Sequence, residues 1–183
     1  MTAGVAFELV KLFEQNQIEM TLDGGWGVDA RLGEQNRPHA DLDIVIAYKD
    51  VTRLRGQLES KVFVDVTHPD TRECNFVMDD EQGPLIDMHT NTYDPVAHPE
   101  YGIDYPLESL KGCGLLKGYP FRCISLEYMV KFHTGSQSMK WIIWMVKLCV
   151  NTLASTCPQS MISLKSRPSP LTMVRSAVQI RNV

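Results

Sequence analysis

The acidic residues of this chain stop long before the chain does. All 22 Asp and Glu lie within residues 1–133, with 12 of the 18 Lys and Arg, so that stretch carries a formal charge of −10. Residues 134–183 hold six basic residues and no acid, a charge of +6. The second stretch is rich in Ser, Thr and Met and shows no helical or strand period after Cys157. A segment of that make-up reads either as a basic, partly disordered tail suited to an acidic partner, or as sequence that does not belong to the fold before it. The sequence therefore has to be folded from roughly its first 135 residues.

Composition sets the outer limits. A chain of 183 residues buries roughly 70% of its unfolded surface and needs no disulfide or metal staple. A net charge of −4 gives no electrostatic footprint for wholesale nucleic-acid binding, so no nucleic-acid partner is expected. The longest apolar run, Trp141 to Val150, is interrupted by Lys147 and is about half of what a membrane span needs, so no membrane partner is expected either. Five cysteines without a Cys-x-x-Cys pair, and no signal-peptide pattern, lead to the expectation of reduced thiols and a cytoplasmic location.

Ala6, Leu9, Val10 and Phe13 fall near helical spacing and predict an amphipathic helix over residues 3–16. A short strand over Glu19–Leu22, a turn at Asp23-Gly24-Gly25 and a helix over Trp26–Leu32 ending at Gly33 follow. Asp41–Ala47 alternates as a strand, and Asp50 is placed to cap a helix through Ser60. Strands are expected at Val62–Val66, Glu73–Asp79 and Leu85–Thr90, and a hairpin at Cys113–Leu116 and Tyr119–Ile124 around Lys117-Gly118. Residues 92–110 read as a long loop, and Ser125 as the start of a helix through His133. This is an α+β pattern, a mixed sheet with helices packed on it.

The chemistry concentrates in Gly24-Gly25, Asp41-Leu42-Asp43 and Asp87. Residues two apart on a strand face the same way, so Asp41 and Asp43 present neighbouring carboxylates. Two such charges repel unless a cation sits between them, and hard cations such as Mg²⁺ take oxygen ligands. Asp87, amid Leu85, Ile86 and Met88, is a further strand carboxylate that an adjacent strand could bring to the same place. On their own these acids also read as solvated strand ends. A double glycine between strand and helix lets the backbone approach a ligand and exposes N–H groups at a helix start, which suits a phosphate.

The run Leu22-Asp-Gly-Gly-Trp-Gly-Val-Asp-Ala-Arg-Leu-Gly33 through Arg37-Pro-His-Ala-Asp-Leu-Asp43 resembles the small antibiotic nucleotidyltransferases. The lincosamide nucleotidyltransferases and the aminoglycoside 2''-adenylyltransferase, within the DNA-polymerase-β-like superfamily, are the nearest in look. Leu85-Ile-Asp-Met-His89 and Arg122-Cys-Ile-Ser125 leading to Phe132-His-Thr-Gly135 extend the resemblance over residues 5–135. It implies that Asp41, Asp43 and Asp87 are catalytic and form the Mg²⁺ site, with Asp87 a metal ligand, the general base on the acceptor hydroxyl, or both. It implies that Gly24, Gly25, Arg37 and His39 bind the nucleotide, with ATP as donor and a small hydroxylated antibiotic as acceptor. Arg37 and His39 lie four and two residues before the first metal acid. Trp26 reads as packing and Asp29 as either packing or site. His89 shares Asp87's face and reads as a satisfied strand histidine or an acceptor-site residue. His133 reads as a helix-end partner or a nucleotide contact. Tyr93, His98, Tyr101 and Tyr105 either pack the loop or stack on an acceptor ring.

After Gly135 the resemblance breaks: the related enzymes continue with an acidic helical segment, and this chain does not. One permitted set of codons for residues 139–161, read two nucleotides later, gives Glu-Met-Asp-His-Leu-Asp-Gly-Glu-Thr-Leu-Arg-Glu-His-Leu-Gly-Ile-Asp-Leu-Pro-Pro-Glu-Tyr-Asp. That string is acidic and helix-patterned. The expectation is a nucleotidyltransferase domain at 1–135 followed by a frameshifted tail, 136–183, in place of the helices that wall the cleft. Two alternatives share the fold: transfer to a protein acceptor, and a nucleotide-binding module impaired by the altered tail.

Overall fold

In the computed structural model, residues 1–67, 69, 71–72, 74–81, 83, 85–91 and 105–133 are described. The tail and the tyrosines and histidine at 93, 98 and 101 lie outside them. Seven strands form one mixed sheet: β1 (Met20–Leu22), β2 (Asp41–Ala47), β3 (Val64–Val66), β4 (Asn75–Asp79), β5 (Leu85–Asn91), β6 (Gly112–Leu116) and β7 (Tyr119–Cys123). Their spatial order is β3-β4-β5-β2-β1-β7-β6. Four helices accompany them, α1 (Ala3–Gln15), α2 (Gly24–Leu32), α3 (Val51–Glu59) and α4 (Leu126–His133). The α+β architecture expected from the sequence is what the chain adopts.

One face of the sheet carries the main core. Leu42, Ile44 and Ile46 of β2 alternate with polar or smaller positions, and Ile86 and Met88 of β5 do the same beside them. They meet Ala6, Leu9, Val10 and Phe13 of α1 and Leu54 and Leu58 of α3. Each such fully buried side chain contributes about 1.5–3 kcal/mol, which fixes the register of both strands. A second cluster joins Val28 of α2, Val45 of β2 and Met129 of α4 with Tyr105, Leu110 and Ile124.

Local chemistry sets the element ends. Thr2 caps α1 through its hydroxyl, which accepts from the Val5 amide. Gly33 closes α2 in the left-handed conformation, its N–H returning to Ala30 and Asp29 carbonyls. Lys117 and Gly118, both at positive φ, make the tight turn of the β6–β7 hairpin. Three expectations are corrected. Helix α2 begins at Gly24, two residues early, because Asp23 supplies its cap. Asp50 stands at the N-cap position of α3 as expected, but its carboxylate makes no capping hydrogen bond: a 3-10 turn at Tyr48–Asp50 leads into the helix, and the buried carboxylate pairs with Arg53 instead. The supposed loop before β6 contains a 3-10 helix, Leu107–Lys111. Of the described cysteines, Cys74 and Cys123 are buried outside any disulfide, whereas Cys113 takes part in one, against the expectation of reduced thiols.

Candidate active site

Strands β2 and β5 run parallel and in register, with Asp43 opposite Asp87, Asp41 opposite Leu85 and Val45 opposite His89. Because the apolar residues of both strands are committed to the core, Asp41, Asp43, Asp87 and His89 are left on the other face. The donor atoms of Asp43, Asp87 and His89 lie within 4.8 Å of one another. Asp41 stands two residues from Asp43 on the same face but outside that close group. Its charge is nevertheless felt. Burial first, then the negative charges of Asp41, Asp23 and Asp87, push the Asp43 carboxyl up to about 7. A half-buried, oxygen-rich site with surplus negative charge fits a divalent cation, which supplies the missing positive charge.

The double glycine is explained by what lies on top of it. Gly24 has φ of +50°, and a Cβ there would stand 2.0 Å from Asp43 Oδ2. A Cβ on Gly25 would stand 2.3 Å from His39 Nδ1 and 3.1 Å from the Arg37 guanidinium. Only glycine lets a carboxylate and an imidazole rest on the first turn of a helix in this way. The Gly24 N–H donates to Asp23 Oδ1 at 2.8 Å, while the Gly25 amide has no acceptor among the described residues. Arg37 and His39 therefore gather at the start of α2, where the helix dipole already favours an anion.

Two buried acids organise this arrangement. Asp29, in the middle of α2, accepts from His39 Nε2 at 2.5 Å, and both side chains are at most 3% exposed. The Trp26 ring packs 4.6 Å from the His39 ring, centroid to centroid, and is itself fully buried, as its packing role required. Asp23 was not among the residues singled out from the sequence. Its Oδ2 accepts from the Tyr105 hydroxyl at 2.8 Å across 82 positions of sequence. Tyr105 is buried rather than open to a ligand, and burial and the Asp23 charge raise its phenol above the ordinary range. Its ring meets Phe132 of α4 edge-on at 5.2 Å and lies 6.1 Å from His89. A buried acid inside the otherwise apolar and glycine-rich run 24–30 was the one available signal that Asp29 needed a partner.

On the β4 side, a cleft of roughly 160 Å³ opens beside Asp41 and Asp87, lined also by Thr71, Asn75, Val77 and Leu85. Clustered acids on a parallel strand pair, with a glycine-started helix, an arginine and a histidine beside them, suit the holding of a cation and a phosphate side by side.

Comparison with known proteins makes the class specific. The aminoglycoside-2''-adenylyltransferase family matches residues 5–141, so the chain belongs to that family and is a nucleotidyltransferase. A lincosamide resistance protein from Staphylococcus haemolyticus is 30% identical over 136 residues, 70% of this chain and 82% of that protein. The lincomycin-bound crystal structure of the lincosamide adenylyltransferase LnuA superposes with a TM-score of 0.69 at 25% identity, covering 83% of this chain and 98% of that one. ANT(2'')-Ia in complex with adenylyl-2''-tobramycin shares the fold, with a TM-score of 0.61 at 18% identity over 99% of this chain and 98% of that one. Among the described residues no helix is long and apolar enough to cross a membrane.

Proposed function

We propose that this chain transfers AMP from ATP to a hydroxyl of a small antibiotic, a lincosamide or an aminoglycoside, with Mg²⁺ as the metal. The observation that carries the reading is the in-register pairing of Asp43 with Asp87 beside a helix start on which Arg37 and His39 converge. Asp41, Asp43 and Asp87 would hold the metal, which would offset the negative charge of nucleotide and carboxylates together and polarise the phosphate oxygens. The triphosphate lies along the N-terminus of α2, where the Gly24–Gly25 turn, Arg37 and His39 face it. The acceptor hydroxyl attacks the α-phosphorus in line: its oxygen forms the new P–O bond, the bond to the pyrophosphate oxygen breaks, and the hydroxyl proton passes to Asp87. Pyrophosphate carries away the leaving electron pair next to the Arg37 guanidinium. Positioning and fixed charge do most of the work in such a transfer.

Residues 1–135 form the catalytic unit in this reading, and the tail at 136–183 stands where the resemblance calls for acidic helices. Incubation of the chain with MgATP and a panel of lincosamides and aminoglycosides, read by mass spectrometry, tests it. The expected result is a drug heavier by one AMP moiety, absent with Asp43→Asn. A frame-restored chain is run in parallel. An adduct from that chain alone would assign the loss of activity to the tail, and no adduct from either would sink the antibiotic acceptor.

A further inference from the structure

His89 has no role in the transfer just described, yet it stands inside the carboxylate group. Its Nε2 lies 4.0 Å from Asp87 Oδ1. That is too far for a hydrogen bond, whose heavy atoms approach within about 3.2 Å. It does suit two ligands of one cation: at metal–ligand distances of about 2.0–2.2 Å, donors on a shared ion stand roughly 3–4.4 Å apart. The third donor, from Asp43, lies within 4.8 Å of both. The strand enforces this placement, since residue 89 follows residue 87 on the same face. Asn91, the next residue on that face, donates to the Tyr105 carbonyl at 2.7 Å, so Tyr105, whose ring lies near His89, is fastened to the same strand.

We propose that His89 is a further ligand of the active-site cation, beside Asp41, Asp43 and Asp87, and that this imidazole raises the affinity of the site for Mn²⁺ relative to Mg²⁺, the working ion of the reading above. The proposal rests on the nucleotidyl-transfer reading of the same site and adds a donor and a metal preference to it. Carboxylate oxygens alone suit Mg²⁺ and Mn²⁺ alike, whereas imidazole nitrogen suits first-row transition ions and binds Mg²⁺ poorly. A histidine added to the carboxylates therefore discriminates where the carboxylates alone would not. Asp87 keeps one oxygen for the cation and the other for the acceptor proton.

The test uses Mn²⁺ and Mg²⁺ alone with the full chain, without nucleotide or drug. Pulsed electron paramagnetic resonance of the Mn²⁺ complex reads directly whether a nitrogen is bonded to the ion, and ¹⁵N-histidine labelling changes that signature without any substitution. Competition titration gives the Mn²⁺/Mg²⁺ affinity ratio, expected to be about tenfold or more in favour of Mn²⁺. His89→Gln is expected to erase the nitrogen signature and reduce the ratio at least fivefold, while Asp43→Asn weakens both ions. A Mn²⁺ complex of the unaltered chain with no histidine nitrogen coupling would overturn the proposal, as would an unchanged ratio in His89→Gln. Because metal binding is read without turnover, nitrogen coupling in a chain that transfers nothing would remove the transferase reading alone. Transfer without nitrogen coupling would remove only the His89 ligand.

Discussion

Gly24→Ala separates a backbone effect from a site effect, and Gly33→Ala supplies the control. Both glycines have positive φ, +50° and +79°. An alanine in that region costs about 1–2 kcal/mol, which for a folded unit of this size lowers the melting temperature by roughly 3–6 °C. At Gly33 nothing lies within 4 Å of the new methyl group, so that is the whole effect. At Gly24 the methyl would stand 2.0 Å from Asp43 Oδ2 and 2.5 Å from its Cγ. The carboxylate must retreat by roughly 1–1.5 Å to reach ordinary contact distance. If Asp43 holds the metal as proposed, its displacement by that much costs on the order of a hundredfold in turnover. Melting curves should therefore show the strain loss for Gly33→Ala and at least that loss for Gly24→Ala, while drug-dependent pyrophosphate release falls about a hundredfold for Gly24→Ala and less than threefold for Gly33→Ala. Activity of Gly24→Ala within threefold of the unaltered chain would refute the reasoning, because Asp43 would then have no fixed place.

Without metal, the folded chain holds a proton on Asp43 up to about pH 7 that the unfolded chain releases near its ordinary value of 3.8. The stability this contributes is complete below the lower value and is lost as the pH rises through 7, so melting temperatures of the metal-free chain should fall between pH 4 and 7. Asp43→Asn should flatten that fall; an unchanged slope would show that other groups cause it. Asp29→Leu leaves the His39 Nε2–H buried without an acceptor and should cost about 1–3 kcal/mol in urea unfolding. A change below about 0.5 kcal/mol would mean the pair contributes no net stability. Val62 is 75% exposed and sits at a φ of 64°, which a β-branched residue tolerates poorly. Val62→Gly should raise stability by about 1 kcal/mol in the same assay, and a loss would show that the Val62 side chain packs in solution.

The strands bearing Asp41, Asp43 and Asp87 were legible because each alternates apolar and polar residues, and the same alternation decides which side of the sheet is buried. Strand β2 has the bounds the sequence gives, and β5 runs one residue further. The spatial order of strands was not legible, since no local pattern states that β2 lies between β1 and β5. The helix start was misplaced because Gly24 and Gly25 read as turn formers, while the capping Asp23 carboxylate extends the helix back over them. Contacts distant in sequence were invisible for the same reason. Asp23 with Tyr105 and Asp29 with His39 are pairings of single side chains with no repeating period behind them. His89 was visible as a neighbour of Asp87 on one face, but only the spacing of its ring nitrogen distinguishes a ligand from a packed histidine.

The pairing of Asp43 with Asp87 also limits how such a chain can vary. A single inserted residue between Leu85 and Asp87 would turn Asp87 toward α1 and α3 and bring an apolar side chain to the face that carries Asp43. A two-residue insertion would keep the correct side but carry the carboxylate about 6.6 Å along the strand, beyond reach of a shared cation. Changes of length are therefore excluded from β2 and β5 themselves. Within those strands, the chemistry can change only by exchanging one side chain for another.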